Sequence, residues 1–220
     1  MTAKSFKGKT VLLTAGPTHE PIDPVRFIGN HSTGKMGYAL AECFAAHGAK
    51  VQLVSGPVNL KAEHESITVT PVTTANEMYE AVKQFAPQAD IIVYAAAVAD
   101  YRPKVIADKK IKKSGEELTI ELVKNVDIAA ALGKEKKESQ FTVGFALETH
   151  NESANAREKL QKKNLDMIVL NSLNDPGAGF KHDTNKVTII EKEATTAFEL
   201  KRKTEVAKDI VNLIWERTHG

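Results

Sequence analysis

The apolar run Lys9-Thr10-Val11-Leu12-Leu13-Thr14-Ala15-Gly16 predicts a buried strand ending in a glycine turn, because Val and Leu bounded by Gly and Pro suit a sheet interior. A long polar loop follows, up to a stretch rich in Gly, Ser and Thr at residues 29–37. Met36, Ala39, Leu40, Cys43 and Phe44 then recur at helical spacing. Gly48 closes that helix, and residues 50–56 supply a second strand. Residues 67–72 are a third and fainter strand. Thr74 caps a helix running through Met78, Val82 and Phe85, with Pro87 just past its end. Residues 89–97 carry the most apolar strand of the chain.

The alternation continues. Residues 118–123 read as a strand and 127–132 as a short helix behind it, followed by an apolar strand at 141–145, a charged helix at 152–163 and a strand at 167–170. Residues 186–191 and 195–200 form a hairpin around Lys192-Glu193-Ala194. A final helix at 203–216 has Val206, Ile210 and Ile214 apolar. The βαβ rhythm predicts an α/β fold, a Rossmann-like parallel sheet flanked by helices, with ligands gathered at the carboxyl ends of the strands. No linker or repeat divides the chain, so residues 1–220 are expected to form a single domain with an appendage at about 186–220.

Composition narrows the classes. With 220 residues and 42% hydrophobic content the chain buries a real core, and 30 basic against 28 acidic residues give a net charge of +2. Nothing therefore marks the whole surface as a binder of nucleic acid or of anionic membranes. Cys43 is the only cysteine, which excludes an intramolecular disulfide and a cysteine-rich zinc site. No secretory h-region opens the sequence and no apolar run is long enough to span a bilayer, so a cytoplasmic location is expected.

Chemistry concentrates at three places. Gly29-Asn30-His31-Ser32-Thr33-Gly34-Lys35-Met36-Gly37 opens the first helix, where unpaired backbone N–H groups and the helix dipole suit a phosphate. It is not an orthodox P-loop: Met36 stands where a magnesium-binding hydroxyl is needed, and the glycines lie well beyond the strand end. The alternative is a turn that merely caps a helix. Ala95-Ala96-Ala97-Val98-Ala99-Asp100 ends the most apolar strand; small residues let a flat ring approach the backbone, and Asp100 stands at the address of a magnesium ligand. The competing reading is an alanine strand packed on a helix with Asp100 capping a turn. The lysines of Lys109-Lys110-Ile111-Lys112-Lys113 repel one another, and the segment reads as a solvated run, as a flap that orders over a triphosphate or, with no aromatic residues interleaved for stacking, as a nucleic-acid patch. Asn125 or Asp127 caps a helix or faces the same crevice, Phe145 stacks on a base or fills the core, and Lys159 and Lys163 share one helix face. The turn after the first strand lacks G-x-G-x-x-G, which leaves a nicotinamide oxidoreductase as a fold-level analogy only, beside a non-catalytic nucleotide-binding module.

Thr14-Ala15-Gly16-Pro17-Thr18, Asp23-Pro24-Val25-Arg26, Asn30 to Gly37, Ala96-Ala97-Val98-Ala99-Asp100-Tyr101 and Lys110-Ile111-Lys112-Lys113, in that order, resemble the phosphopantothenoylcysteine synthetase family, the cysteine ligases of coenzyme A biosynthesis. The resemblance implies that 4′-phosphopantothenate attacks the α-phosphate of CTP, and that L-cysteine then displaces CMP from the acyl-cytidylate. It implies Asn30 and Lys110 as catalytic residues. Nucleotide contacts would come from Ser32, Gly34, Lys35, Ala95, Ala96, Asp100, Lys110, Val126, Asp127, Ile128, Ala129, Phe145, Lys159 and Lys163. Asp100 and Asp127 would hold Mg2+. Proline is common in the family where Val126 stands. The resemblance further implies a homodimer through the C-terminal hairpin and helix, a flavin-dependent decarboxylase as partner or fusion domain, and no flavin or nicotinamide, nucleic acid or membrane bound by this chain.

Overall fold

The computed structural model describes residues 4–113, 115–148, 150–172 and 182–219; residues 1–3, 114, 149, 173–181 and 220 lie outside the described residues. In chain order the elements are β1 (Thr10–Ala15), β2 (His19–Pro21), β3 (Phe27–Gly29), α1 (Lys35–Ala46), β4 (Lys50–Ser55), β5 (Ile67–Pro71) and α2 (Ala75–Phe85). They continue through β6 (Ile91–Tyr94), β7 (Tyr101–Pro103), β8 (Leu122–Lys124), α3 (Ile128–Gly133), β9 (Phe141–Glu148), α4 (Glu152–Lys162) and β10 (Met167–Ser172). The tail holds β11 (Thr184–Asn185), β12 (Val187–Glu191), β13 (Thr195–Ala197), β14 (Lys201–Arg202) and α5 (Lys203–His219).

Eight strands form one sheet in the order β13-β12-β10-β9-β6-β1-β4-β5. The run from β10 to β5 is parallel, as the alternating helices require, and β12 and β13 add to it antiparallel. From β1 the chain winds outward through β4 and β5, then returns to β6 on the other side. The carboxyl ends of β1 and β6 therefore flank the topological switch point, where open α/β sheets place their ligands. Buried Leu13, Val93, Val143 and Val169 pack with α1 and α5 on one face, and Leu12, Ile92, Met78 and Val82 on the other. Thr74 caps α2 as expected: its hydroxyl accepts from Glu77 N at 3.2 Å while the Glu77 carboxylate accepts from Thr74 N at 3.3 Å.

Several expectations need revision. The polar loop after β1 contains a hairpin, β2 paired antiparallel with β3, in which the His19 ring stacks on Phe27 with centroids 3.8 Å apart. The strand expected at 89–97 keeps its ladder only over Ile91–Tyr94; beyond it Ala97 bridges to Pro17 and its N–H donates to Gly16 O at 2.9 Å. The strand expected at 118–123 is Leu122–Lys124, and it pairs with Tyr101–Pro103 in a separate two-stranded ladder. The C-terminal hairpin is no appendage. β12 pairs with β10 and buries Val187, Ile189 and Ile190, while Val206, Ile210 and Ile214 of α5 share the core of Leu40 and Phe44. Continuing the central sheet removes more apolar surface from water than a free hairpin would.

Candidate functional site

The site is built on backbone held by threonines. Thr14 Oγ1 accepts from Ala96 N at 3.1 Å and Thr18 Oγ1 from Ala99 N at 2.9 Å, which fixes the path of residues 95–100 beyond the end of β6. Asn125 completes it: its Nδ2 donates to Ala99 O at 2.8 Å, and its N–H to Asp100 O at 2.8 Å. Gly37 brings α1 against β1, since a Cβ there would lie 2.6 Å from the Ala15 Cβ.

Two adjoining cavities result, sharing Ala96, Val98, Asp100 and Phe145. The first is lined by Thr14, Tyr94, Asn125, Val126, Asp127, Ile128, Ala129, Lys159 and Lys163. The second is lined by Asn30, Ser32, Gly34, Lys35, Ala95, Asn171, Asn185 and Lys203. The expected nucleotide contacts thus divide, with Ser32, Gly34, Lys35 and Ala95 standing beside Asn30 and away from the residue 125–129 turn. Asp100 belongs to both cavities.

The cations are paired. Lys159 Nζ lies 2.5 Å from Glu148 Oε1, Lys163 Nζ 3.0 Å from Asp127 Oδ2 and Lys35 Nζ 2.5 Å from Asp183 Oδ1. Burial works to raise the Glu148 carboxyl, but the Lys159 and Asn155 bonds outweigh it and the net shift is downward. Burial, with the Asp127 charge beside it, holds the Tyr94 phenol far above its ordinary range, so Tyr94 is a neutral O–H on the wall of the first cavity.

The two carboxylates expected to hold Mg2+ differ in what already engages them. The Asp100 side chain has no hydrogen bond or ion pair among the described residues and lines the junction, so an oxygen is available to a divalent cation. Asp127 is spent: Oδ1 caps α3 by accepting from Ala130 N at 3.1 Å and Oδ2 meets Lys163. A single carboxylate suits Mg2+ that shares its remaining positions with phosphates and water. No group of three metal-ligating side chains occurs among the described residues.

Asn30 and Lys110, expected as catalytic residues, stand apart: Asn30 lines the second cavity and Lys110 does not. Asn30 Nδ2 donates to Ala97 O at 3.1 Å and Val98 O at 3.2 Å, so its amide is engaged with the turn after β6. Lys110 is exposed and lines neither cavity. Its segment is tethered next door: buried Asp23 accepts from Ile111 N at 3.1 Å, Arg26 Nη2 donates to Ile111 O at 3.1 Å, and Ala107 N donates to Ile22 O at 3.0 Å. Arg26 holds the Asp23 carboxyl well below the usual carboxylate range. Residues missed in the sequence are Thr14, Tyr94, Asn171, Asn185 and Lys203. Only Thr14 had a local signal, its place at the end of β1; Lys203 looked like the start of an ordinary surface helix.

Residues 6–217 match the family described as the DNA/pantothenate metabolism flavoprotein C-terminal domain. The chain belongs to this family. Over 220 residues it is 54% identical to a cysteine/cysteine sulfinic acid decarboxylase of an unknown prokaryotic organism, covering 100% of this chain and 61% of that protein. Over 214 residues it is 47% identical to the coenzyme A biosynthesis bifunctional protein CoaBC of Haemophilus influenzae, covering 97% of this chain and 53% of that one. The chain thus spans between half and two thirds of the length of these curated relatives. Among solved structures, the C-terminal domain of a coenzyme A biosynthesis bifunctional protein CoaBC superposes with a TM-score of 0.83 at 42% identity, covering 98% of both chains. A Cab2 variant in complex with phosphopantothenate-cysteine shares the fold, with a TM-score of 0.76 at 19% identity over 96% of this chain and 87% of that one. The Rossmann-like sheet of this family is the α/β architecture expected from the βαβ rhythm. No helix among the described residues is long and apolar enough to cross a membrane.

Proposed function

We propose that the chain is a phosphopantothenate–cysteine ligase unit that joins 4′-phosphopantothenate and L-cysteine at the expense of CTP. The observation that carries this reading is the pair of cavities meeting at Asp100 on the switch point: one side suits a nucleotide and the other a second anionic substrate. Two names support the substrates. A relative 47% identical is a coenzyme A biosynthesis protein, and a fold neighbour holds phosphopantothenate-cysteine.

The carboxylate attacks the α-phosphorus, diphosphate leaves, and an acyl-cytidylate forms; the cysteine amine then attacks the acyl carbon, CMP leaves, and a proton is released as the amide forms. A carboxylate alone has no good leaving group, and nucleotidyl transfer supplies one. In the first cavity the backbone at Ala96 and residues 125–129, with the Phe145 ring, takes the base and ribose, while Lys159 and Lys163 exchange their carboxylate partners for phosphate oxygens. In the second, Ser32, Gly34 and Lys35 stand beside the acid. Asn30 exchanges one of its two turn carbonyls for the acyl oxygen, where charge develops. Mg2+, held through Asp100, would supply charge neutralisation for the triphosphate. Lys110 would reach the reacting groups by movement of its flap.

The same reading includes a cytoplasmic homodimer working beside, or fused to, a flavin-dependent decarboxylase. Large apolar side chains stand exposed on the two hairpins and the segment between β7 and β8: Val25 at 61%, Phe27 at 53%, Val105 at 77%, with Ile106, Leu118 and Leu122. This surface, and not the C-terminal hairpin, is the one we assign to a second copy.

The test supplies each of the four nucleoside triphosphates with phosphopantothenate and cysteine. CMP, diphosphate and the amide should form only when CTP and both other substrates are present. Nucleotide cleavage independent of the acid, or no product with any triphosphate, overturns the reading; binding of a reduced nicotinamide, read as fluorescence quenching, would favour an oxidoreductase.

A further inference from the structure

The turn after β1 and the turn that opens α1 meet backbone to backbone. Gly16 and Gly34 both lie in the left-handed region, at φ 75° and 76°, and a Cβ built on Gly34 would stand 3.5 Å from the Gly16 Cα and N. No side-chain cap fixes the start of α1 at Gly34, whose N–H reaches Ser32 Oγ at 3.3 Å. Glycine has more conformational freedom to lose on ordering than any other residue, so two of them in contact need outside support to keep one geometry. Beneath both lies a single side chain. A Cβ on Gly16 and a Cβ on Gly34 would each come to 3.0 Å from Val58 Cγ1. Val58 is partly buried against the core of Leu40 and Phe44 and lines neither cavity.

The segment that carries Val58 is itself held in place. Gly56 N donates to Ala15 O at 2.9 Å, and Gly56 packs against Pro17 O with no room for a Cβ. The Tyr38 hydroxyl of α1 donates to Ser55 Oγ at 3.1 Å, and Ser55 Oγ donates to Gly56 O at 2.9 Å. From this base, contacts run in two directions. Gly16 O accepts from Ala97 N at 2.9 Å, and Ala97 O accepts from Asn30 Nδ2, so one direction reaches the Asn30 side of the second cavity. The other passes through Gly34 to Ser32 and Lys35 on the same cavity wall. Thr14, Thr18 and Asn125 brace the Asn30 side as well, whereas the Gly34 side leans on the Val58 methyl.

We propose that Val58 is a positioning residue for the second cavity: its Cγ1 methyl holds the Gly16 and Gly34 turns in the one arrangement that presents Ser32, Gly34 and Lys35 to the acid substrate. The inference rests on the ligase reading above. With the methyl in place, the cost of ordering this loop is met when the chain folds; without it, the same cost falls on substrate binding and weakens it. The expected defect is therefore in affinity for the acid. Chemistry should move less, because Val58 touches neither substrate nor reacting atoms and the Asn30 turn keeps its other bonds.

The experiment measures kcat and KM for 4′-phosphopantothenate and KM for CTP in wild type, Val58→Ala, Val58→Ile, Gly34→Ala and the double variant, with the Kd of 4′-phosphopantothenate read by calorimetry alongside. Val58→Ala should raise KM and Kd for the acid roughly 5- to 20-fold with a much smaller change in kcat and in KM for CTP. Val58→Ile, which keeps the Cγ1 carbon, should restore most of the affinity. Gly34→Ala sets a Cβ against that same methyl, so removing the methyl relieves the crowding, and the rise in the double variant should be smaller than the product of the two single ones. A fall in kcat with both KM values unchanged, equal rises for acid and CTP, a rise confined to CTP, or a double variant equal to that product overturns the proposal. Should Val58→Ala fail to fold, Val58→Thr, which exchanges one methyl for a hydroxyl, takes its place under the same criteria. A wild-type protein that binds the acid without ligating it removes the ligase reading and leaves Val58 to be judged on Kd, whereas one that neither binds nor ligates it removes both.

Discussion

The first cavity and the lysine segment were both candidates for holding a triphosphate, and the fold treats them in opposite ways. The cavity stands on the central sheet. Thr14, Thr18 and Asn125 fix its turn through hydrogen bonds of 2.8 to 3.1 Å, and its cations are held by carboxylates. The lysine segment stands on small hairpins outside that sheet and is tied down beside Lys110, at Ile111, by buried Asp23. Rigid elements fix geometry for recognition, while a segment outside the sheet, held by a few tethers at Ala107 and Ile111, is able to move during a reaction. Under the proposed ligase reading, the difference gives binding to the sheet and the timing of chemistry to the hairpins.

The largest break in that division should come from Asn30→Asp, which places a carboxylate opposite Ala97 O and Val98 O and beside an anionic substrate. Turnover should fall by roughly 10²- to 10³-fold, read as loss of CMP release with CTP still bound; full turnover would show that this amide does no chemistry. Next comes Lys110→Gln. If the segment acts by moving, CTP affinity should hold while amide product collapses, and a quenched-flow trace should show the acyl-cytidylate accumulating. Equal loss of CTP binding would place Lys110 with the static cavity instead.

A smaller effect is expected at Asp127, whose role is to cap α3 and pair with Lys163. Asp127→Asn should lower stability by about 1 kcal/mol or less, because Asn caps nearly as well, and should leave the Mg2+ dependence of the reaction where it was. A shift in that dependence would restore Asp127 as a ligand. The smallest effect is one of pH. The Asp23 carboxyl lies below its ordinary range in the folded protein, so its contribution is complete above about pH 4 to 5, the unfolded value being near 3.9, and is lost as pH falls toward the folded value. Protection of the Ile111 amide, measured as its exchange relative to that of the unstructured chain at the same pH, should fall over that acidic window in wild type. In Asp23→Asn the window should vanish; an unchanged profile would mean that Asp23 is not the tether.

Much of this was legible in the chain. Residues 9–16, 36–44 and 50–56 announce strand, helix and strand because apolar spacing is a local property that packing then uses as it stands. The placing of Asn30, Asp100 and Phe145 beside the crevice was also readable, since strand ends and loops of a parallel sheet have a known address, and the pairing of Lys159 with Lys163 followed from their shared helix face. The β2–β3 hairpin was not readable, because its three-residue strands carry no apolar periodicity and are held by each other, by one stacked ring pair and by bonds linking His19 and Glu20 to residues 73 and 75.

The sequence by itself determined the βαβ order, because apolar periodicity and turn residues are written within a few positions of where they act. Only the tertiary structure decided that Asp127 caps a helix, that β12 and β13 extend the sheet, and that Lys203 reaches the cavity of Asn30. Each of these depends on which distant surface a residue meets. Lys203 lies 168 positions along the chain from Lys35, and no local pattern encodes that the two ammonium groups share one wall.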